Sequence, residues 1–246
     1  MILVENLSKT FGNRKVLDQV SFTIPSGQCL FVLGKSGVGK SVLLKHIVGL
    51  IAPDEGKIRV GELEVDVKDP RALQSVRKQC GLVFQFPALL DSVTVFENVA
   101  FGLRARGIAG NTDEIETRVK KELIRVGLED SILEKYPAQL SYVAQKRVSI
   151  ARTLAVAPDY LLFDEPTTGM DLVATSALNS LIQKLVRELR VTTVVVSHDI
   201  KSALKISDRI ILLENGKIVF DGSPEKFKTS DVKLAREFIV GCNYGS

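Results

Sequence analysis

The sequence has few cysteines, and it has no long apolar or basic runs. Its three cysteines, Cys29, Cys80 and Cys242, are odd in number and far apart, which argues against a disulfide framework and a cysteine metal site. We interpret them as thiols in a reducing compartment. No apolar stretch approaches the roughly 20 residues that a membrane-spanning helix needs. We therefore expect membrane contact only through a partner.

Charge and the first residues argue against two further classes. There are 33 basic and 29 acidic residues, and the positive charges are scattered, so we predict no binding to nucleic acid. The first ten residues lack the basic start and apolar centre of a signal peptide, so we expect a cytoplasmic chain. With 246 residues, 45% of them hydrophobic, and no repeats, the sequence predicts a single domain over residues 1–246.

Short apolar runs that alternate with helical patterns predict an α/β fold with a mostly parallel sheet. The run Cys29–Leu33 is apolar throughout, as is typical of a strand buried on both faces. Residues from about 94 to 157 are helix-patterned, and we predict a helical subdomain inserted there. The patterns also predict helices over 40–50 and 173–190, strands over 2–4, 16–24, 57–60, 81–84, 160–163 and 192–196, and a hairpin over 209–220.

The clearest motif is a glycine-rich turn between an apolar strand and a helix. Residues 34–41 read GKSGVGKS and fit the phosphate-loop pattern G-x-x-x-x-G-K-[ST] in its required context. The backbone N–H groups of such a loop converge on phosphate oxygens at a helix N-terminus. Lys40 is predicted to reach the β- and γ-phosphates of ATP, and Ser41 to ligate Mg²⁺. The predicted nucleotide-binding residues here are Gly34, Lys35, Ser36, Gly37, Val38, Gly39, Lys40, Ser41 and Val42.

Two acids follow the predicted strand at 160–163. Strand ends at this edge of a parallel sheet are where ligands bind. Asp164 is predicted to hold Mg²⁺ through water, and Glu165 to polarise the attacking water as a general base does. Two acids after a strand often only begin a loop, but here they lie downstream of a phosphate loop.

Together with four further motifs, these residues resemble the ATPase subunits of ABC transporters over nearly the whole chain. The resemblance implies a P-loop core, an N-terminal antiparallel β subdomain and the inserted helical subdomain. The further motifs are FQFP around Gln85, Leu140 and Ser141 before QKR at 145–147, PTTGMD at 166–171, and SHD around His198.

The resemblance implies roles for three residues at the nucleotide. Phe11 matches the aromatic residue that stacks on adenine, where the family more often has tyrosine. Gln85 matches the residue that touches Mg²⁺ and senses the transmembrane partner. His198 matches the residue that contacts the γ-phosphate, so the implied catalytic set is Glu165, His198 and Gln85.

The resemblance also implies that two copies of the chain sandwich two ATP molecules. Ser141 and Gln145 belong to the signature segment that caps the ATP of the opposite subunit, and Asp171 to a loop that communicates across the dimer. The signature departs from the family's LSGGQ or LSGGM, because residues 140–144 read LSYVA and both glycines are missing. Ser141 is retained, and so is the helix after the signature, which we predict over 145–157. Glycine permits backbone angles that valine rarely adopts, and we expect strain if Val143 needs a positive φ. Three interpretations stay open: an adapted loop, a slow or regulated ATPase, or an engineered or accidental change.

The second implied partner is a transmembrane permease, which would insert a coupling helix beside Gln85. Phe84, Phe86, Leu89 and Leu90 either line that cleft or belong to the core of the helical subdomain. The chain would then lie at the cytoplasmic face of the inner membrane, held there by the permease.

Two stretches bear on the kind of transporter. Residues 88–100 and 235–241 are similar to the Mla or MCE-associated ATPases, which implies phospholipid transport at the inner membrane. Polar amino-acid importers and lipoprotein-release ATPases share much of the first stretch. A soluble ATPase without a permease and a nucleotide-dependent scaffold with weak turnover are the alternatives from other classes.

Overall fold

A computed structural model describes residues 1–108 and 111–243, with side chains through residue 240. The smaller of its two sheets is antiparallel and collects the early strands with alternating burial. Its strands are β1 (Ile2–Phe11), β2 (Arg14–Ile24), β4 (Glu55–Val60) and β5 (Leu63–Glu64). They are ordered β2-β1-β4-β5, and the two-residue β5 was not predicted.

The larger sheet contains the continuously apolar runs. Its strands are β3 (Cys29–Leu33), β6 (Cys80–Val83), β7 (Tyr160–Asp164), β8 (Thr192–Ser197), β9 (Arg209–Glu214) and β10 (Lys217–Gly222). Their order is β10-β9-β3-β8-β7-β6, and neighbours are parallel except in the β9–β10 hairpin. Every residue of β3, β7 and β8 is buried, because layers cover both faces. The predicted α/β fold is confirmed.

Successive side chains of β3 show what those layers are. Phe31 packs into an apolar cluster with the helices on one face of the larger sheet. Leu30 and Val32 point to the other face, where they meet apolar residues of the smaller sheet and of the helix after β3. The carboxyl ends of β3, β7 and β8 lie side by side in this sandwich.

The helices are α1 (Lys40–Ile47), α2 (Pro70–Gln79), α3 (Val95–Arg106), α4 (Thr112–Arg125), α5 (Tyr142–Ala155), α6 (Leu172–Leu189), α7 (Ile200–Ile206), α8 (Pro224–Lys228) and α9 (Lys233–Asn243). Helices α3, α4 and α5 pack against one another. The division into a core and a helical subdomain at about 94–157 stays a prediction. In the described part of the chain, no helix combines the length and apolar character needed to cross a bilayer.

Two predicted helix bounds are wrong for local reasons. The helix predicted over 40–50 ends at Ile47, because Gly49 takes a left-handed φ of 64° and the Leu50 N–H turns back to the Lys45 carbonyl. The signature helix begins at Tyr142 rather than at Gln145, since the Ser141 side chain caps it.

Helix α2 was missed, although its start carries a sequence signal. Asp69 accepts hydrogen bonds from the backbone N–H groups of Arg71 and Ala72, and Pro70 occupies the first helical position. The helix was missed because most of its residues are polar, and only a narrow apolar stripe with Leu73 and Val76 is buried.

Candidate nucleotide site

The glycine-rich loop joins the end of β3 to the start of α1. A Cβ on Gly34 would lie 2.7 Å from the Leu213 carbonyl oxygen, and one on Gly39 would lie 2.9 Å from the Val16 carbonyl oxygen. Gly37 and Gly39 also have left-handed φ values of 73° and 111°. A side chain at these positions would therefore displace the loop backbone. The loop has the glycine-dependent form that brings backbone N–H groups to phosphates.

Lys40, the first residue of α1, folds back over this loop. Its Nζ donates to the carbonyl oxygens of Gly34 at 2.8 Å and Lys35 at 3.1 Å. The same ammonium lies 3.1 Å from Glu165 Oε1, and only 4% of the side chain is exposed. A buried cation held at the mouth of a backbone cradle is suited to an anionic phosphate chain.

Ser41 and Asp164 meet where β3 and β7 end. Ser41 Oγ donates to Asp164 Oδ1 at 2.6 Å. Burial raises the pKa of Asp164, although the bond from Ser41 works in the opposite direction. Gln85, which follows β6, lines a cavity together with Ser41. Hydroxyl, carboxylate and amide oxygens are ligand types that Mg²⁺ accepts, so these three residues fit the predicted metal.

Glu165 lies at the centre of a charged group. Its backbone has a φ of 43°, and its N–H donates to the Val196 carbonyl at 2.9 Å, which fixes the residue against β8. His198 Nδ1 lies 2.8 Å from Glu165 Oε2. Burial would raise the pKa of Glu165, but the bond to His198 and the charge of Lys40 outweigh it and hold the pKa below its usual value. The bond to Glu165 raises the pKa of His198 in turn.

Most of these residues, though neither Gly34 nor Asp164, line one cavity of about 660 Å³. Three residues of its lining were not among the predicted site residues: Val16 on β2, Thr168 in the loop after β7, and Phe238 on α9. Phe11 is 47% exposed outside this lining, with the Lys9 ammonium 5.5 Å from its ring centre. The full lining is Val16, Lys35, Ser36, Gly37, Gly39, Lys40, Ser41, Val42, Gln85, Glu165, Thr168, His198 and Phe238.

The signature segment lies apart from this cavity and has helical backbone. Ser141 Oγ accepts a hydrogen bond from the Ala144 N–H at 3.3 Å, so Tyr142 and Val143 form the first turn of α5. Val143 has no positive φ, because a capped helical turn needs none, so the condition for backbone strain is not met. The Tyr142 hydroxyl donates to the Thr168 carbonyl at 3.4 Å.

The other two predicted dimer residues have partners within the chain. The Gln145 side-chain amide donates to the carbonyl oxygens of Pro137 at 3.0 Å and Leu140 at 3.2 Å, which supports the loop before the signature. Asp171 caps α6 by accepting from the Ala174 N–H at 2.8 Å. In the described residues, neither side chain lines the cavity of its own chain.

The two cysteine side chains that the structure describes do not line this cavity. Cys29 and Cys80 are buried free thiols, and burial raises the pKa of Cys80 to about 12. The side chain of Cys242 falls outside those that the structure describes.

Known proteins identify the class to which this site belongs. The family model described as "ABC transporter" matches residues 17–168, which include the glycine-rich loop, Gln85 and both acids after β7. The chain therefore belongs to the ABC transporter family and is an ATP-binding, ATP-hydrolysing domain.

Similar curated proteins cover almost all of the chain. The sulfate/thiosulfate import ATP-binding protein CysA of Vibrio vulnificus is 39% identical over 245 residues, which is 98% of this chain and 69% of that protein. The methionine import ATP-binding protein MetN 1 of Rhodopseudomonas palustris is 38% identical over 246 residues, 97% of this chain and 65% of that protein. The chain thus spans about two thirds of the length of these relatives.

Solved structures share the fold along almost their whole length. The ATP-binding cassette MJ0796, a dimer in a post-hydrolysis state bound to ADP and Pi, matches with a TM-score of 0.83 and 33% identity. The match covers 91% of this chain and 99% of that one. The cbiO1 protein of Clostridium perfringens, part of the ABC transporter complex cbiONQ, matches with a TM-score of 0.82 and 28% identity over 97% of both chains.

Proposed function

We propose that this chain is the ATP-hydrolysing subunit of an ABC importer. The observation that carries the proposal is its similarity, over nearly all its residues, to ATPases named for the import of sulfate or thiosulfate and of methionine. The phospholipid transport expected from residues 88–100 and 235–241 finds no support among these relatives. It is kept as the second candidate, because those two stretches motivate it.

The site suggests how the chain handles ATP. The loop at 34–39 and Lys40 hold the phosphates, while Ser41, Asp164 and Gln85 hold Mg²⁺, which neutralises phosphate charge when it is bound. Glu165, whose lowered pKa keeps it ionised at neutral pH, accepts a proton from the attacking water. His198 orients Glu165 through their 2.8 Å contact and lies within the cavity that takes the γ-phosphate. Phe11 stacks on adenine from outside the described lining.

A second copy of the chain completes each site. Among the described residues, the lining of one chain's cavity includes neither Ser141 nor Asp171. The similar structure of MJ0796 is a dimer, which supports a second copy as the source of these residues. Helix α5 begins at Tyr142, so its N-terminal N–H groups form an anion-binding end that a partner's γ-phosphate can meet. ATP binding favours the closed pair, and hydrolysis with phosphate release reopens it.

The permease is the partner that would couple this ATPase cycle to transport. Phe84, Phe86 and Leu90 are 38%, 65% and 41% exposed on either side of Gln85, whereas Leu89 packs against the core. Exposed apolar groups of this kind suit a docking helix. We infer that the permease binds here and holds the chain at the cytoplasmic face of the inner membrane.

Reconstitution separates the two substrate classes. The membrane protein that copurifies with the chain is placed with it in liposomes, and ATP-driven uptake of labelled sulfate and methionine is measured beside transfer of a fluorescent phospholipid. Uptake of a small polar solute supports the importer, and lipid transfer alone supports the second candidate.

The matched control is the same complex carrying Glu165→Gln, which should move neither cargo. ATP turnover that is equal with and without the membrane protein contradicts a transport role altogether.

A further inference from the structure

The backbone of residues 84–88, which carries Gln85, is held by a buried cation of α5. Lys146 Nζ donates to the carbonyl oxygens of Phe84 at 2.5 Å and Gln85 at 2.7 Å. The residue is fully buried, and burial lowers the pKa of its ammonium to about 8, although the nearby Asp164 raises it. A buried ammonium is tolerated only where acceptors satisfy it, so these two carbonyls are specific partners of Lys146.

A second cation on the same helix holds the other end of this segment. Arg152 Nη1 donates to the Ala88 carbonyl oxygen at 2.8 Å, and Nη2 to that of Pro87 at 3.4 Å. Lys146 and Arg152 are six residues apart, or about 9 Å along a helix. Four of the five backbone carbonyls of residues 84–88 therefore accept hydrogen bonds from side chains of α5.

Helix α5 begins within the signature segment. Ser141 caps it, and Lys146 follows only five residues later. The side chain of Gln85, whose carbonyl Lys146 holds, lines the nucleotide cavity. Helix α5 thus holds the backbone of Gln85, which lines its own chain's cavity, and its cap is Ser141, which is proposed to face the partner's nucleotide.

We propose that Lys146 and Arg152 are positioning residues that fasten residues 84–88 to α5, so that Gln85 and Ser141 move as one body during the ATPase cycle. The inference rests on the roles proposed above for Gln85 and Ser141. A displacement of Gln85 by bound nucleotide then reaches the partner's site without passing through the permease. The loop at 34–41, which binds the phosphates, lies outside this linkage.

The test is the rate of ATP hydrolysis by the full chain carrying Lys146→Met, which keeps the apolar stem and removes the ammonium. We expect kcat to fall about tenfold or more while the KM for ATP stays within about threefold, since ground-state binding is untouched. Lys146→Arg should restore most of the loss. Lys120→Met, which removes a half-exposed lysine from α4, is the matched control and should change neither constant.

A double-mutant cycle with Gln85→Ala separates positioning from general damage. If Lys146 acts through Gln85, Lys146→Met causes little further loss of kcat in the Gln85→Ala background, because residues in one linkage are not additive. Should Lys146→Met fail to fold, Arg152→Met runs through the same cycle. The cycle needs no permease, so its result is independent of the transport assignment.

Two outcomes overturn the inference. An unchanged kcat in both lysine and arginine variants, or the same full loss in the Gln85→Ala background, shows that the two cations do not act through Gln85. If Gln85→Ala itself leaves kcat unchanged, the proposed role of Gln85 fails first, and the inference fails with it.

Discussion

At the scale of single residues, the reactive groups of the nucleotide site already pair with one another. Lys40 contacts Glu165, Glu165 contacts His198, and Ser41 contacts Asp164. A bound phosphate chain and its Mg²⁺ must exchange with these internal partners. Each residue can therefore be tested separately for binding and for turnover.

Lys40→Ala should abolish tight ATP binding. The change removes a buried cation from a cradle that meets up to four phosphate charges, a loss of about 2–4 kcal/mol by comparison with truncated buried charge pairs. Calorimetric titration with ATP measures the effect. Lys217→Ala removes a charge from an exposed position and serves as the control. An unchanged affinity in Lys40→Ala would mean that the nucleotide binds elsewhere.

Glu165→Gln should bind ATP normally and lose turnover. The amide keeps the size of the side chain but accepts no proton, and the loss of a general base lowers rates about 10²–10⁴-fold. Single-turnover hydrolysis of labelled ATP gives the rate, and calorimetry gives the affinity. Hydrolysis close to the unmodified rate would show that another group activates the water.

The residues at the glycine-rich loop and after β7 could be predicted because their spacing alone carries the chemistry. Residues 34–41 lie contiguous in sequence, and Asp164 directly ends a buried strand. Lys146 could not be found this way. Its partners are the carbonyls of Phe84 and Gln85, sixty-one or more positions away, and only the packing of α5 beside the end of β6 brings them together.

At the scale of elements, the structure removes one of the concerns that the altered signature raised, namely backbone strain at Val143. The first turn of α5 is helical, so its N–H donors are in place. The remaining differences from the family are the bulk of Tyr142 and Val143 and the alanine at position 144, where the signature has glutamine or methionine. Backbone strain is not the obstacle.

We predict that restoring glycine at positions 142 and 143 together raises ATP turnover in the assembled complex about tenfold, or ~1.4 kcal/mol of barrier. Removing both side chains would open the end of the helix to the partner's γ-phosphate. Turnover is compared between the parent and the double variant on the same permease. Tyr142→Phe, which loses only the hydroxyl bonded to Thr168, is the control. Equal rates in parent and double variant would mean that the loop has adapted.

Helix α4 carries a buried acid that offers a test of stability. Glu122 is 3% exposed, and burial raises its pKa, although Arg125 lies 3.2 Å away. The folded state therefore favours the protonated form of Glu122. The free energy of unfolding falls as the pH rises from the pKa of Glu122 in the unfolded chain to its higher pKa in the folded chain. Glu122→Gln should therefore raise Tm at pH 7, by about 2–4 °C for each kcal/mol gained.

The gain from Glu122→Gln should shrink as the pH falls below the raised pKa, where the parent residue also becomes neutral. Thermal unfolding at pH 7 and pH 4 measures both effects. Glu116→Gln on the exposed side of the same helix is the control and should not raise Tm. A lower Tm for Glu122→Gln at pH 7 would show that the pairing with Arg125 outweighs burial.

Sequence patterns predicted most helices and strands. A strand buried on both faces is apolar throughout, whereas a strand or helix buried on one face repeats its apolar residues at a fixed spacing. Strand β3 has the predicted bounds, and β9 and β10 form the predicted hairpin. Helix α2 was missed because most of its residues are polar, and β5 because two residues carry no period. The walls contributed by Val16 and Phe238 come from distant elements, so no local pattern reveals them.

At the scale of the whole molecule, the site of one chain is one-sided. The cavity is lined by the loop before α1 and the start of α1, by residues that follow β6, β7 and β8, and by Val16 and Phe238. Ser141 is the N-terminal cap of α5 and does not line the cavity. The family resemblance implies that it contacts the ATP of the opposite subunit. We therefore expect ATP to bring two copies of the chain together.

The mass of the Glu165→Gln variant in solution tests this expectation most directly. Light scattering is recorded without nucleotide, with ADP and with ATP and Mg²⁺, and the Lys40→Ala, Glu165→Gln double variant serves as the control that cannot hold ATP. We predict the mass of one chain without nucleotide or with ADP. With ATP and Mg²⁺ we predict twice that mass, but only in the variant that retains Lys40. A single-chain mass at ATP concentrations that saturate binding would contradict it.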